Sequence, residues 1–191
     1  MKIIAITGSV GTGKTTLAGL VKQLGYAVYD VDAWVARLYY QKDFINVIAG
    51  HFPSVIKAGR VDKRALRNIV FNDNKKLKLL ESLIHPFLKQ TLKKLIRKNR
   101  HSSELFFIDI ALLFEMGWEK FCDYVILTDV DYEIQKQRVM KRDNVTAEDF
   151  EKINKIQIDN KKKALMVDEV INTDKPLNLL LVKLIYLIEK I

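Results

Sequence analysis

Short apolar runs alternate along this chain with longer segments in which apolar positions recur every three or four residues. The runs are Lys2 to Thr7, Ala27 to Asp30, Leu105 to Ile110, Tyr124 to Thr128 and Glu169 to Ile171. Each is rich in β-branched or aromatic residues and predicts a short buried strand. A helical pattern from about Lys14 to Leu24 is closed by Gly25, and another runs from Leu177 to Ile191. In the latter Leu177, Leu180, Leu181, Leu184, Ile188 and Ile191 share one face, so it predicts a core-facing amphipathic helix. Strands separated by helices predict βαβ units and a parallel sheet covered on both faces.

Two stretches break that rhythm. From Ala33 to Arg100 the pattern is mostly helical, for instance over Arg64 to Phe71 and Lys75 to Leu83, with no convincing strand. No Pro/Gly/Ser-rich linker flanks it, so it reads as a helical insertion within one domain. The second stretch, Tyr132 to Leu165, is helical and dense in charge, with Lys136, Arg138, Lys141, Arg142, Lys161, Lys162 and Lys163 and no obvious partner charges.

Composition narrows the class. The 191 residues suit one domain carrying an insertion. Thirty-two Lys and Arg against 23 Asp and Glu give +9, a balance that suits nucleic acid, an anionic membrane or a polyanionic small substrate. No aromatic residues interleave with Lys161-Lys162-Lys163, so a stacking platform for single strands is missing. The C-terminal apolar stretch falls short of the about 20 residues that cross a bilayer. The one cysteine, Cys122, excludes an intrachain disulfide and a cysteine-built metal site. A cytoplasmic protein without membrane or nucleic-acid partners is therefore expected, and no obligate protein partner is evident.

The strongest motif is Gly8-Ser9-Val10-Gly11-Thr12-Gly13-Lys14-Thr15, which fits G-x-x-x-x-G-K-[ST]. It follows the first strand and opens the first helix, as a P-loop requires. Gly8, Gly11 and Gly13 let successive N–H groups converge on an anion, and the helix dipole adds to the attraction. Lys14 would reach the β- and γ-phosphates of a nucleotide and Thr15 would ligate Mg²⁺. The guanine-reading N-K-x-D signature of GTPases is missing, which favours an adenine nucleotide, ATP.

Acidic and basic residues further on supply candidates for an acceptor side. Asp30 and Asp32 end the second strand, two apart on a segment read as extended, and would face the same way. They suit either an acceptor hydroxyl and the metal shell, or simple capping of the helix that follows. Asp109, ending the third strand, suits the metal shell in the manner of a Walker-B aspartate. Arg138 and Arg142, four apart on one helical face, suit a phosphoryl clamp or a solvated surface.

Taken in order, these segments resemble the dephospho-coenzyme A kinases. Asp30-Val31-Asp32-Ala33-Trp34-Val35-Ala36-Arg37 is similar to that family's D-A-D-x-x-A-R segment, and Val61 to Phe71 to its L-D-R-x-x-L…V-F stretch. Leu80 to Pro86 matches L-E-x-I-x-H-P, and Leu112-Leu113-Phe114-Glu115 the end of D-x-P-L-L-F-E. Gln135, Arg138, Arg142 and Asp143 fit Q-x-x-R…R-D; Gln157 and Asp168 to Asn172 fit the closing Q…A-D-x-V-I-x-N. The likeness spans Lys2 to Leu187.

The resemblance implies transfer of the γ-phosphoryl group of ATP to the ribose 3′-hydroxyl of dephospho-coenzyme A, with Mg²⁺, the last step of coenzyme A synthesis. It implies an α/β fold, a P-loop three-layer α/β/α with a five-stranded parallel sheet. The core would be 1–32, 101–131 and 166–191, with a helical acceptor-binding insertion at 33–100 and a helical lid at 132–165. Asp32 becomes the expected catalytic base, with Lys14 and Arg138 beside the transferred group. Gly8, Gly11, Thr12, Gly13, Lys14, Thr15 and Thr16 would hold ATP with Arg142 and, near the adenine, Asn172. Asp30, Asp32, Arg64 and His85 fall on the acceptor side, although Pro86 at a helix start would explain the His85-Pro86 pair as well. Ser9, Pro53, Ala111 and Asp174 depart from the family's usual residues without removing a phosphate-cradling group.

Overall fold

The computed structural model describes residues 1–71, 73–99 and 104–191; the expected boundary between residues 100 and 101 lies outside them. The chain divides into two compact units, Met1–Asp30 with Arg100–Ile191, and Val31–Asn99. In chain order the elements begin β1 (Lys2–Thr7), α1 (Lys14–Gln23), β2 (Val28–Asp30), α2 (Val31–Leu38), α3 (Lys42–His51), β3 (Ile56–Lys57), β4 (Arg60–Val61), α4 (Lys63–Phe71) and α5 (Asn74–Asn99). They continue with β5 (Leu105–Asp109), β6 (Tyr124–Asp129), α6 (Tyr132–Asp143), α7 (Ala147–Ile156), α8 (Asn160–Ala164), β7 (Glu169–Asn172) and α9 (Leu177–Lys190).

The first unit is built on a five-stranded parallel sheet in the order β2-β5-β1-β6-β7. All five strands therefore end on the same edge. Across it Asp30 lies opposite Asp109, and Asp129 opposite Asn172. One face carries Ile4, Ile6, Phe107, Ile126 and Ile171, packed with Leu17, Leu20 and Val21 of α1 and Leu180, Leu184 and Leu187 of α9. The alternate residues Ala5, Phe106 and Ile108 are also buried, so both faces are covered, as continuous apolar strands demand. On α9 the buried stripe is Leu180, Leu184 and Leu187, whereas Leu177, expected in the core, is exposed.

The charged stretch from Tyr132 onward is three helices rather than one. Asn144, at φ 51°, ends α6 in the left-handed conformation that asparagine tolerates. Thr146 and Asp149 then form a reciprocal capping box that starts α7. Tyr132 donates to Glu151 across the two helices, a hydrogen bond that pushes the phenol up to about 12. Its ring packs edge-on to Phe150.

The second unit has its own apolar interior, with Trp34, Leu38, Phe44, Ile48, Val55, Leu66 and Leu88 buried. Contrary to the sequence reading it contains strands: β3 and β4 pair as a two-residue hairpin around Ala58 and Gly59, both at positive φ. Strands that short carry no alternation to detect. Asp62 accepts the Ala65 amide at 3.0 Å and so caps α4, and also takes the Lys57 ammonium at 2.7 Å. Those bonds hold its carboxyl below the usual range. A second correction concerns Pro86, which lies inside α5 and not at a helix start. An interior proline costs about 3 kcal/mol. The buried series Leu80, Ile84, Leu88 and Leu92 runs straight through it, and that packing carries the helix past the break.

Candidate functional site

The turn after β1 is where the parallel edge becomes a binding surface. Gly13 sits before α1 at φ 87°, no side chain caps that helix, and its first turn holds no acidic residue. A helix start of this kind, with no carboxylate in its first turn, suits an anion. The rest of the turn is held from outside. Thr12 Oγ1 lies 2.8 Å from the Ser9 carbonyl and 2.8 Å from Thr128 Oγ1, whose own hydroxyl donates to Thr7 O at 3.1 Å. The Val10 amide donates to Gln157 Oε1 at 2.9 Å, while its carbonyl accepts from Gln135 Nε2 at 2.7 Å. Ser9 donates to Asn160 Oδ1 through both its amide, at 3.3 Å, and its hydroxyl, at 2.8 Å. Thr173 closes the other side, donating to Thr12 O at 2.7 Å.

Lys14 and Asp109 meet at the strand ends, where the ammonium donates to the buried carboxylate. Asp30 is half-buried on the neighbouring strand, level with Asp109, so in a parallel pair both carboxylates leave the same face. Thr15 and Thr16, on the first turn of α1, are exposed. The described residues contain no cluster of three or more His, Cys, Asp or Glu suited to a metal.

The two arginines do not converge. Arg138 donates to Thr173, at 3.1 Å to Oγ1 and 3.2 Å to its carbonyl, and lies 3.7 Å from Asp174. Arg142 forms a forked pair with Asp143, both bonds 2.7 Å. Those bonds hold the Asp143 carboxyl below its ordinary value and the guanidinium above its own. Partner charges also turn up where the sequence showed none. Lys136 reaches Glu151 at 4.0 Å, and Lys163, with a wholly buried side chain, pairs with Glu115 at 3.1 Å. Within the Lys161-Lys162-Lys163 run only Lys163 is buried, while Lys161 and Lys162 are exposed.

On the acceptor side, described within its own unit, Asp32 is exposed on the first turn of α2. The helix starts at Val31, so Asp30 and Asp32 are not two residues of one extended segment. Arg64 is exposed on α4 and His85 half-buried on α5. Of the Asp62-Lys63-Arg64 segment, Asp62 caps a helix, while Lys63 donates to Ala36 O at 3.0 Å and lies over the rings of Tyr39 and Tyr40.

Asn172 is exposed, and its Oδ1 accepts the Asp174 amide at 2.8 Å. The pattern D-x-V-I-x-N, counted from Asp168, ends on Thr173, the residue that touches the P-loop. Sequence reasoning assigned no role to Thr173, Thr128, Gln135, Gln157 or Asn160. The available signal was their chemistry: uncharged amides standing in a run of charges, and threonines near the ends of apolar strands.

A model of the dephospho-CoA kinase family matches residues 2–178. The chain belongs to the dephospho-CoA kinase family. It is 39% identical over 178 residues to the dephospho-CoA kinase of Bartonella henselae, covering 93% of this chain and 91% of that one. With the enzyme of that name from Thermus thermophilus it shares 38% over 147 residues, 77% of this chain and 70% of the relative. A crystal structure from Thermus thermophilus superposes with a TM-score of 0.88 at 33% identity, over 100% of this chain and 97% of that one. A shikimate kinase from Acinetobacter baumannii, at 16% identity and a TM-score of 0.53 over 100% and 94%, shares the fold alone.

Two glycines test the cradle. A Cβ on Gly13 would lie 2.8 Å from Thr173 Oγ1 on a backbone already at φ 87°, whereas on Gly19, inside α1, it would meet nothing within 4 Å. Gly13→Ala is expected to destabilise the protein by about 1–3 kcal/mol, and Gly19→Ala to stabilise it by about 0.5–1 kcal/mol. Denaturant unfolding of the two variants checks the contrast.

Proposed function

We propose that this chain transfers the γ-phosphoryl group of ATP to the 3′-hydroxyl of dephospho-CoA, giving CoA and ADP. The observation that carries the proposal is the uncapped start of α1 behind a tightly held turn, with Lys14 and Asp109 at the same strand ends, in a chain of this family. The backbone from Gly11 to Thr16 is the proposed phosphate cradle. Lys14 leaves Asp109 for the γ-phosphate and follows the charge that develops there.

The residues present suit Mg²⁺. A single hydroxyl, Thr15, and the carboxylates of Asp109 and Asp30 fit an ion that keeps waters and phosphate oxygens as most of its ligands. Held by those residues, Mg²⁺ would supply neutralisation of charge on the phosphate oxygens. Asp32 is assigned to the acceptor, accepting the hydroxyl's hydrogen bond and aiming its oxygen in line with phosphorus. Arg64 and His85 are assigned to acceptor binding in the same unit.

The lid is assigned more narrowly than 132–165. Gln135 and Arg138 fasten one end of that stretch, and Gln157, Asn160 and Lys163 fasten the other. The arm between, from about residue 140 to 156 and carrying Arg142, is the part proposed to close over ATP and exclude water.

Two measurements test the reading. ATP consumption with dephospho-CoA, AMP, CMP, shikimate or no acceptor is expected to be fastest with dephospho-CoA, the product carrying a new 3′-phosphate by phosphorus NMR. Equal turnover of AMP or CMP would refute the acceptor assignment. Asp32→Asn is expected to lower kcat by about 10²–10⁴, the range of a positioned acid–base group, with little change in Tm. Were Asp32 only a favourable residue at a helix start, asparagine would serve nearly as well and kcat would stay within about threefold.

A further inference from the structure

The ion pair of Lys163 and Glu115 lies outside the residues assigned to the transfer reaction, yet it buries a lysine completely. The Lys163 side chain is fully buried and that of Glu115 is 16% exposed. Removing a lysine from water costs several kcal/mol unless it is paired and hydrogen-bonded. Here Nζ lies 3.1 Å from Glu115 Oε1 and donates to the Ala111 carbonyl at 3.4 Å. The same Oε1 accepts the Ile158 amide at 2.8 Å. Both ends of the segment 158–163 are thereby tied to Glu115, in the turn that follows β5.

Residues on and beside that segment reach the P-loop. Asn160 takes both Ser9 donors on Oδ1, and its Nδ2 donates to Asp129 Oδ1 at 2.7 Å and to Thr128 O at 3.3 Å, anchoring the amide on the end of β6. Gln157 takes the Val10 amide. The amides of residues 9 and 10 are therefore satisfied by protein, as is that of Thr12, which donates to the Ser9 carbonyl at 3.3 Å; phosphate is left to other amides from Gly11 onward.

We infer that Gln157 and Asn160, pinned by the Glu115–Lys163 pair, are positioning residues for ATP. They form a fixed strut that keeps the first half of the P-loop in its phosphate-receiving shape, rather than part of the moving lid. This rests on the reading of Gly8–Thr15 as the ATP site. The strut acts on the nucleotide through the loop backbone and touches neither substrate. Without it Ser9 and Val10 regain backbone freedom that ATP must then remove, so affinity for ATP falls while acceptor binding does not.

The experiment uses Gln157→Met and Asn160→Ala, singly and together, in the full-length protein. ATP affinity is measured by calorimetry, and kcat with both KM values by coupled assay. One lost hydrogen bond is worth about 0.5–1.5 kcal/mol, so Gln157→Met is expected to weaken ATP binding about two- to tenfold, and Asn160→Ala, which loses both bonds to Ser9, at least as much, with the pair weaker still. The dephospho-CoA KM and kcat are expected to stay within about twofold. The paired change Glu115→Gln with Lys163→Met, which removes both buried charges together, is expected to raise the ATP KM in the same way. Wild-type ATP affinity in the Gln157/Asn160 double variant would overturn the strut, and wild-type affinity in the Glu115/Lys163 variant would overturn the pinning. A parallel loss of ATP affinity, acceptor KM and Tm would also overturn it, because that is general loss of fold. Absence of ATP binding by the unaltered protein would remove the nucleotide reading, and the strut with it.

Discussion

The first amides of an α-helix have no partner within the helix, and α1 begins with such amides at the carboxyl edge of a parallel sheet. Most helices quench them with a capping side chain. Here the preceding residue is a glycine at φ 87°, which offers none, and the backbone turn it permits aims the amides outward. Five parallel strands ending on one edge bring Asp30, Asp109, Asp129 and Asn172 to that place as well. Much of the chemistry of the first unit follows from an anion site that the fold leaves open.

Leaving it open carries a structural requirement. A glycine-rich turn loses more conformational entropy on ordering than any other, so something must hold it before the ligand arrives. Four side chains from distant elements do so: Gln135, Gln157, Asn160 and Thr173 bind the backbone of residues 9, 10 and 12. Gly11 and Gly13 show how closely these neighbours press, since a Cβ on either would meet Val139 or Thr173 at under 3 Å. Ion pairs and hydrogen bonds also restrain the candidate cations. Lys14 rests on Asp109, Arg142 on Asp143, and Arg138 on Thr173 and Asp174.

What the sequence made legible was local. The strands, the first helix and the phosphate motif are read from runs of under a dozen residues, and all are found where periodicity and glycine placement put them. The elements that escaped it are short or depend on distant partners. Two-residue strands at Ile56–Lys57 and Arg60–Val61 leave no alternation to detect. Pro86 punctuates a helix that tertiary packing keeps intact. The side chains holding the P-loop lie 125 to 161 residues from it. Lys163 read as part of a charged stretch without obvious partners because Glu115, which lies 3.1 Å from it, stands far back in the chain. The resemblance supplied motif letters at Gln135 and Gln157 but no account of what an amide does there; the geometry supplies one.

The central claim is that the P-loop is already shaped in the free protein and that ATP fills it without rebuilding it. Amide hydrogen exchange over Gly8 to Thr16, read residue by residue with and without saturating ATP, tests this directly. The account predicts that Ser9 and Val10 are protected before ATP is added, through Asn160 and Gln157, and that ATP adds protection only from Gly11 onward. Unprotected amides at 9 and 10 in the free protein, or a loop that gains protection along its whole length when ATP binds, would contradict it.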